Sequence, residues 1–288
     1  MKNIYVVGSI NTDLVINTPY IPKAGETLTG SGFFTAHGGK GANQAVAAAR
    51  LGGKVTMCGC VGNDDFGLLS RESLKKEGID VENVRVIDGV PTGTAVIIVE
   101  NGNNRIILDK GANACLTEKD IDKVLGNAKT GDIYLTQLEN PIEIIAYGLK
   151  KAKEKGMYVV LNPAPANKEI TPYLSYCDLI TPNESELELL GGREKLLEKV
   201  ETLLITLGGN GFEITTKDDV QKYPCMKVAV VDTTAAGDTL CGGLVVKMAE
   251  GKPLAESAKF GSKAASIACT KKGAQPSIPI RNEVEQII

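Results

Sequence analysis

Short β-rich runs alternate with longer segments of helical spacing along most of the chain. Runs over 4–7, 55–58, 132–135, 158–161, 179–180 and 203–206 read as strands. Helical patterns occupy 40–51, rich in alanine, then 64–77, 141–155, 183–190, 237–249 and 254–270, with a last turn or two before Ile288. In the 64–77 segment, Leu68, Leu69 and Leu74 are expected on one side. The strand runs are too continuous to leave one face wet. They suit a mostly parallel sheet with helices on both faces, a doubly wound α/β domain spanning 1–288.

Two stretches break the rhythm. Residues 14–34 mix short polar–apolar alternation with Pro19, Pro22, Gly25, Gly30 and Gly32. Residues 93–109 hold two β-rich runs joined by Asn101-Gly102-Asn103-Asn104, a hairpin signal. Neither is followed by a helix that would complete a βαβ unit. Together they predict a small β-layer beside the main sheet, inserted in two pieces. Residues 191–202 form only a brief link between the helix at 183–190 and the next strand.

Composition narrows the function. A 43% hydrophobic and 23% charged chain of 288 residues is an ordinary soluble globular protein. Its net charge of −3 lacks the basic excess of a nucleic-acid-binding protein. The only histidine, His37, excludes a metal site needing two, and any Ser-His-Asp triad would have to use it. The seven cysteines are scattered, with no C-x-x-C pair, as expected of free thiols in a reducing compartment. No apolar run approaches the ~20 residues that span a bilayer, so no membrane partner is expected. The opening MKNIYVVGSIN is too briefly apolar for a signal peptide, and a cytoplasmic location is expected.

Candidate chemistry lies where strands give way to loops. Asp232-Thr233-Thr234-Ala235-Ala236-Gly237-Asp238 opens a helix, whose free N–H groups suit an anion such as phosphate. Asp238 in the first turn equally suits ordinary helix capping. His37-Gly38-Gly39-Lys40-Gly41-Ala42-Asn43 is glycine-rich before a helix, but is neither G-x-G-x-x-G nor a Walker A sequence. Asn183 and Glu186 have the spacing of a capping box, and also of a carboxylate held near phosphate and hydrated Mg²⁺. Asn11 and Asp13 follow the first strand and Glu139 follows the 132–135 run, at the strand ends where open α/β sheets bind ligands. Thr206-Leu207-Gly208-Gly209-Asn210-Gly211 is a plain turn or a nucleotide cradle.

Taken together, the segments VVGSINTDLV, GGKGANQAVAAARLG, LNPAP, TPNESE, LITLGGNG, VDTTAAGDT and KKGAQPSIP resemble the ribokinase-like (PfkB) family of sugar and nucleoside kinases, nearly end to end. The resemblance implies a doubly wound α/β fold whose inserted β-layer, about 14–34 and 93–109, is a lid. It implies ATP-dependent phosphorylation of D-ribose at its 5-hydroxyl, or of another sugar or nucleoside such as deoxyribose, fructose or adenosine. The few aromatic residues argue against the base pocket of an adenosine kinase. Asn11, Asp13, Gly39, Lys40, Gly41, Asn43 and Glu139 would line the sugar pocket. Asn183, Thr206, Leu207, Gly208, Gly209, Asn210, Gly211, Gly237 and Ser262 would contact ATP, and Glu186 would act on Mg²⁺. Asp238 would be the catalytic base, with backbone donors of Ala235, Ala236 and Gly237 as the anion hole. A K⁺ ion would take Asp232, Thr234, Ala268, Lys271, Gly273 and Ser277, and two copies would join lid to lid as a homodimer.

One departure is local: Ala235 stands where the family commonly has glycine. Alanine presents the same donors if its φ stays negative. Two other classes compete less well. A dinucleotide oxidoreductase should carry G-x-G-x-x-G after the first strand, and none is present. A non-catalytic sugar sensor would not need Asp238 beside an intact anion-hole loop.

Overall fold

The computed structural model describes residues 1–286. Its main sheet has nine strands: β1 (Ile4–Val7), β4 (Val55–Gly62), β5 (Asp80–Ile87), β8 (Ile133–Thr136), β9 (Tyr158–Leu161), β10 (Leu179–Ile180), β11 (Thr202–Thr206), β12 (Phe212–Thr215) and β13 (Val220–Tyr223). The second sheet contains β2 (Asn11–Thr18), β3 (Ser31–Gly38), β6 (Gly93–Glu100) and β7 (Asn103–Asp109). The α-helices are α1 (Lys40–Arg50), α2 (Asp65–Lys76), α3 (Glu118–Val124), α4 (Ile142–Glu154), α5 (Glu184–Leu189), α6 (Arg193–Leu197), α7 (Ala236–Ala249), α8 (Leu254–Ala268) and α9 (Arg281–Glu285).

The main sheet runs β13-β12-β11-β10-β9-β8-β1-β4-β5. From β1 the chain winds outward to β4 and β5, then returns to β8 on the other side of β1 and winds the opposite way. That reversal between β1 and β8 opens a crevice at their carboxyl ends, the place where such sheets bind ligands. All pairings from β5 to β11 are parallel, and only β12 and β13 are antiparallel.

Residues of β1 alternate between two cores. Ile4 and Val6 join the α1, α7 and α8 side, whereas Tyr5 and Val7 join the α4 side. Helix α7 is buried on nearly every side, and its glycines let its neighbours approach. A Cβ at Gly242 would lie 2.4 Å from the Ala47 Cβ, and one at Gly243 2.8 Å from the Gly261 Cα. This close α1–α7–α8 packing fixes the amino end of α7, where Asp238 sits.

The expected insertion is the second sheet, ordered β3-β2-β6-β7. It begins at Asn11 and its second strand extends to Gly38, so it takes in several candidate sugar ligands. Its hairpin turns at Asn101 (φ 49°) and Gly102 (φ 80°), the left-handed pair that a two-residue hairpin needs. Asn103 and Asn104 lie in β7 rather than in the turn.

Other expectations need correction. Leu68 and Leu69 are 57% and 51% exposed, because α2 turns Gly67, Ser70 and Leu74 inward at helical spacing. Strand β5 alternates polar and apolar residues at the sheet edge and gave no continuous apolar run. The hairpin β12–β13 has only four residues per strand, and α3 under two full turns. The 191–202 link contains α6, which buries Leu196 and Leu197. Ile288, in the expected terminal turn, lies outside the described residues.

Candidate active site

The sugar-side residues converge on the β1–β8 crevice. Asn11 and Asp13 open β2, Gly39, Lys40, Gly41 and Asn43 form the turn into α1, and Glu139 follows β8. Glycine is required in that turn. Gly39 has φ 86°, and a Cβ there would lie 2.7 Å from Asn11 N. A Cβ at Gly41 would meet the backbone of Gly8 at 2.6 Å. The turn therefore lies directly on the loop after β1.

Hydrogen bonds hold these groups. Glu139 Oε2 accepts from the Ser9 hydroxyl and, at 3.1 Å, from Lys40 N–H. Asn11 Oδ1 accepts from Asn113 Nδ2 at 2.7 Å. Asn43 Nδ2 donates to Asp238 Oδ2 at 3.0 Å, whereas the buried Asn43 Oδ1 has no partner among the described residues. A buried acceptor without a donor is costly, and a hydroxyl-bearing ligand would satisfy it.

The pocket is strongly electrostatic. Burial, then Glu139 and Asp238, push the Asp13 carboxyl up to about 7. Burial pulls the Lys40 ammonium down, but Asp238, Glu139 and Glu186 outweigh it and hold it above its ordinary value. Lys40 is thus a half-buried cation among three carboxylates, placed to meet an anion.

Beyond Asp238 the crevice continues as a cavity of about 210 Å³, lined by Lys40, Asn183, Glu186, Ala235, Ala236, Gly237 and Asp238, among others. Asn183 and Glu186 form the capping box of α5, with Glu186 N–H donating to Asn183 Oδ1 and Asn183 N–H to Glu186 Oε2. Burial raises the Glu186 carboxyl, partly offset by the Asn183 N–H and by Lys40. Capping uses one carboxylate oxygen, so the cap and a role toward the cavity are compatible.

Ala235 departs from expectation. Its φ is 60°, left-handed, and it caps α7. Alanine there costs roughly 1–2 kcal/mol relative to glycine. Of the three expected anion-hole donors, Ala236 N–H is already given to Thr233 O at 3.2 Å.

A second cavity of about 300 Å³ adjoins the first and is mostly apolar. Of the residues expected to contact ATP, Thr206, Gly208, Gly209, Gly211, Gly237 and Ser262 line it, and Asn183 lines the smaller cavity. Leu207 and Asn210 line neither: Leu207 packs into the core on the far face, and Asn210 N–H closes the turn onto Leu207 O. Met226, Val228, Val230, Leu240 and Ala265 also line the larger cavity and were missed. Most sit in an extended segment or inside α7 and α8, where sequence shows only core-like residues.

Asp232 ties the anion-hole turn to the 271–277 segment. Its carboxylate accepts from Thr234 N–H and Oγ1 and from Gly273 N–H, all within 2.6–2.9 Å. Despite partial burial, these bonds hold its carboxyl below the usual range. Ser277 Oγ donates to Ala274 O at 2.8 Å and Lys271 N–H to Ala268 O at 3.0 Å.

The sequence profile of the pfkB family carbohydrate kinases matches residues 1–281. The chain belongs to this family. It is 42% identical to the ribokinase of Haemophilus influenzae over 301 residues, covering 100% of this chain and 98% of that protein. The solved ribokinase of Thermotoga maritima superposes with a TM-score of 0.89 at 40% identity, covering 99% of this chain and 98% of that one. The Arabidopsis thaliana ribokinase, solved with ribose and ATP, gives 0.86 at 33% identity, covering 99% and 98%. The fold expected from the sequence, a ribokinase-like α/β sheet with a small second sheet, is the one observed.

Proposed function

We propose that this chain transfers the γ-phosphoryl group of ATP to the 5-hydroxyl of D-ribose. The observation that carries the reading is the position of Asp238. It joins a polar pocket with an unpaired buried acceptor to a cavity lined by a helix amino end, and full-length ribokinase relatives support the substrate. Phosphoryl transfer is loose at its transition state, so positioning and charge stabilisation dominate.

Asp238 accepts the 5-hydroxyl proton as the bond to phosphorus forms. Lys40 and the N–H groups at the start of α7 face the transferring phosphoryl and stabilise its charge. The apolar cavity takes the adenine ring and the glycines of 208–211 let the nucleotide lie close. Asn11, Asp13, Asn43 and Glu139 orient the sugar hydroxyls, and the second sheet covers them as a lid that excludes water.

Glu186 suits a divalent ion because one of its oxygens is free of the cap in a cavity otherwise rich in donors. Mg²⁺ held there would neutralise phosphate charge. The oxygens of Asp232, Thr234, Ala268, Lys271, Gly273 and Ser277 suit K⁺, as an all-oxygen set whose one formal charge is the Asp232 carboxylate. It would act only by stiffening the anion-hole turn. The exposed Phe33, Phe34, Ile106 and Ile107 on the lid support a lid-to-lid homodimer. Seven free cysteines fit a cytoplasmic setting. The test is ADP release over a panel of pentoses, hexoses and nucleosides. D-ribose should give the highest kcat/KM, and preference for a nucleoside would reject the reading.

A further inference from the structure

Asp238 is held by a chain of buried amides, of which Asn162 also lines the 210 Å³ cavity. Gln44 is fully buried on α1, one residue beyond Asn43. Its Nε2 donates to Asp238 Oδ1 at 2.9 Å and to Asn162 Oδ1 at 3.0 Å. Its Oε1 accepts from Gln137 Nε2 at 2.6 Å. Asn162 in turn donates from Nδ2 to Thr181 O at 3.0 Å. Gln137 follows β8 and Asn162 follows β9, so two strand ends meet on the Gln44 amide, which in turn holds the Asp238 carboxylate.

An amide has a donor end and an acceptor end, and the wrong end toward a carboxylate repels it. Asn162 removes that ambiguity. Its Nδ2 is given to the Thr181 carbonyl, so its Oδ1 faces the Gln44 NH₂, and the Gln44 carbonyl oxygen is left to accept from Gln137. Gln137 itself passes over Gly8, where a Cβ would lie 2.1 Å from its Oε1. Both oxygens of Asp238 thus accept N–H bonds, Oδ1 from Gln44 and Oδ2 from Asn43. Donors on both oxygens fix the plane of the carboxylate, and so aim the lone pair that a base must present to the proton it takes.

We infer that Gln44, with its orientation set by Asn162 and its carbonyl oxygen held by Gln137, is a positioning residue that aims Asp238 and keeps it ready to accept a proton. The inference rests on Asp238 being the base. Other ionisable groups facing Asp238 are Asp13 on β2, Lys40 on α1, Glu186 on α5 and Cys241 on α7. None of them donates to its Oδ1.

The experiment compares Gln44→Glu, Gln137→Leu and Asp238→Asn in the full chain, with kcat, both KM values, a kcat–pH profile and melting curves. Gln44→Glu is nearly isosteric but offers an acceptor where a donor stood. It should lower kcat on the order of 10–100-fold at neutral pH, with ribose and ATP KM within about threefold. The acidic limb of kcat should move upward by about one pH unit or more. Gln137→Leu leaves Gln44 in place but frees its carbonyl oxygen, and should move the same limb in the same direction by less. If Gln44→Glu does not fold, an unmoved limb in a folded Gln137→Leu protein overturns the inference. Unchanged kcat and limb in Gln44→Glu overturn it too, as does a loss confined to KM or melting temperature. An active Asp238→Asn would reject the base assignment itself, which separates the two failures.

Discussion

On the proposed sugar side of Asp238, nearly every functional group is a carboxylate, an amide or a half-buried ammonium, and Asn11, Asn43 and Glu139 are held by hydrogen bonds. On the nucleotide side, the lining is glycine, small polar residues and apolar side chains from α7, α8 and an extended segment. The first region must distinguish hydroxyl patterns, and buried polar groups left unpaired by a wrong ligand supply that discrimination. On the proposed reading the second would hold a flat ring and a phosphate chain, for which apolar area plus close backbone approach suffice. Single side-chain changes should therefore act sharply on the first side and softly on the second.

The largest effect is expected at the junction. Asp238→Asn should lower kcat roughly 10²–10⁴-fold while calorimetry still records ribose and ATP binding. Near-normal turnover would remove the base from the picture and with it the division of the crevice at this residue.

Asp13 sharpens the sugar side through pH. Its carboxyl titrates near 7 when folded, against an ordinary value near 3.9. The folding penalty for its charge is absent below about pH 4, grows from there to pH 7, and is complete above it. Asp13→Asn should therefore gain stability over the parent at pH 8, on the order of 2–4 kcal/mol, and almost none at pH 4. Thermal melts of both proteins across this range provide the check, and a pH-independent difference would contradict the assignment.

Glu186 tests whether a cap can also serve the phosphate cavity. Glu186→Gln should weaken the response to Mg²⁺ several-fold while ribose KM holds. If only the cap matters, stability falls by about 1 kcal/mol and the Mg²⁺ titration is unaltered.

The smallest effect is expected at Ala235. Replacing it by glycine relieves a left-handed alanine and should stabilise the fold by about 1 kcal/mol, visible as a modest rise in Tm. A destabilised Ala235→Gly would mean that the methyl group packs usefully enough to outweigh the backbone strain.

The two regions also differed in how well the sequence announced them. The crevice was legible because strand ends in a doubly wound sheet carry polar groups in short motifs, and Asn11, Asp13, Asn43, Glu139 and Asp238 fall in four of those. The β-layer was legible because proline, glycine and Asn-Gly interrupt a βα rhythm. Gln44 was hidden inside an alanine-rich helix, where its spacing gives no hint of what it faces. Met226, Val228 and Val230 were hidden because an extended apolar segment has no period to read. The sign of φ at Ala235 is set by the turn that joins Thr234 to α7, and alanine is no signal for a left-handed residue.

Asn11 and Asp13 belong to β2, a strand of the small sheet, and Gly38 ends β3 in that same sheet. Lys40 and Asn43 belong to α1, packed into the main body. The proposed sugar pocket is therefore a seam between the two sheets' bodies, with candidate ligands from both edges. Rocking of the small sheet must carry Asn11 and Asp13 with it and change the spacing to Asn43 and Asp238. Affinity for the sugar and stiffness of the small sheet are then one quantity seen from two sides. On the proposed reading, a substitution far out on β6 or β7 that alters how the sheet sits would be felt as a change in sugar affinity.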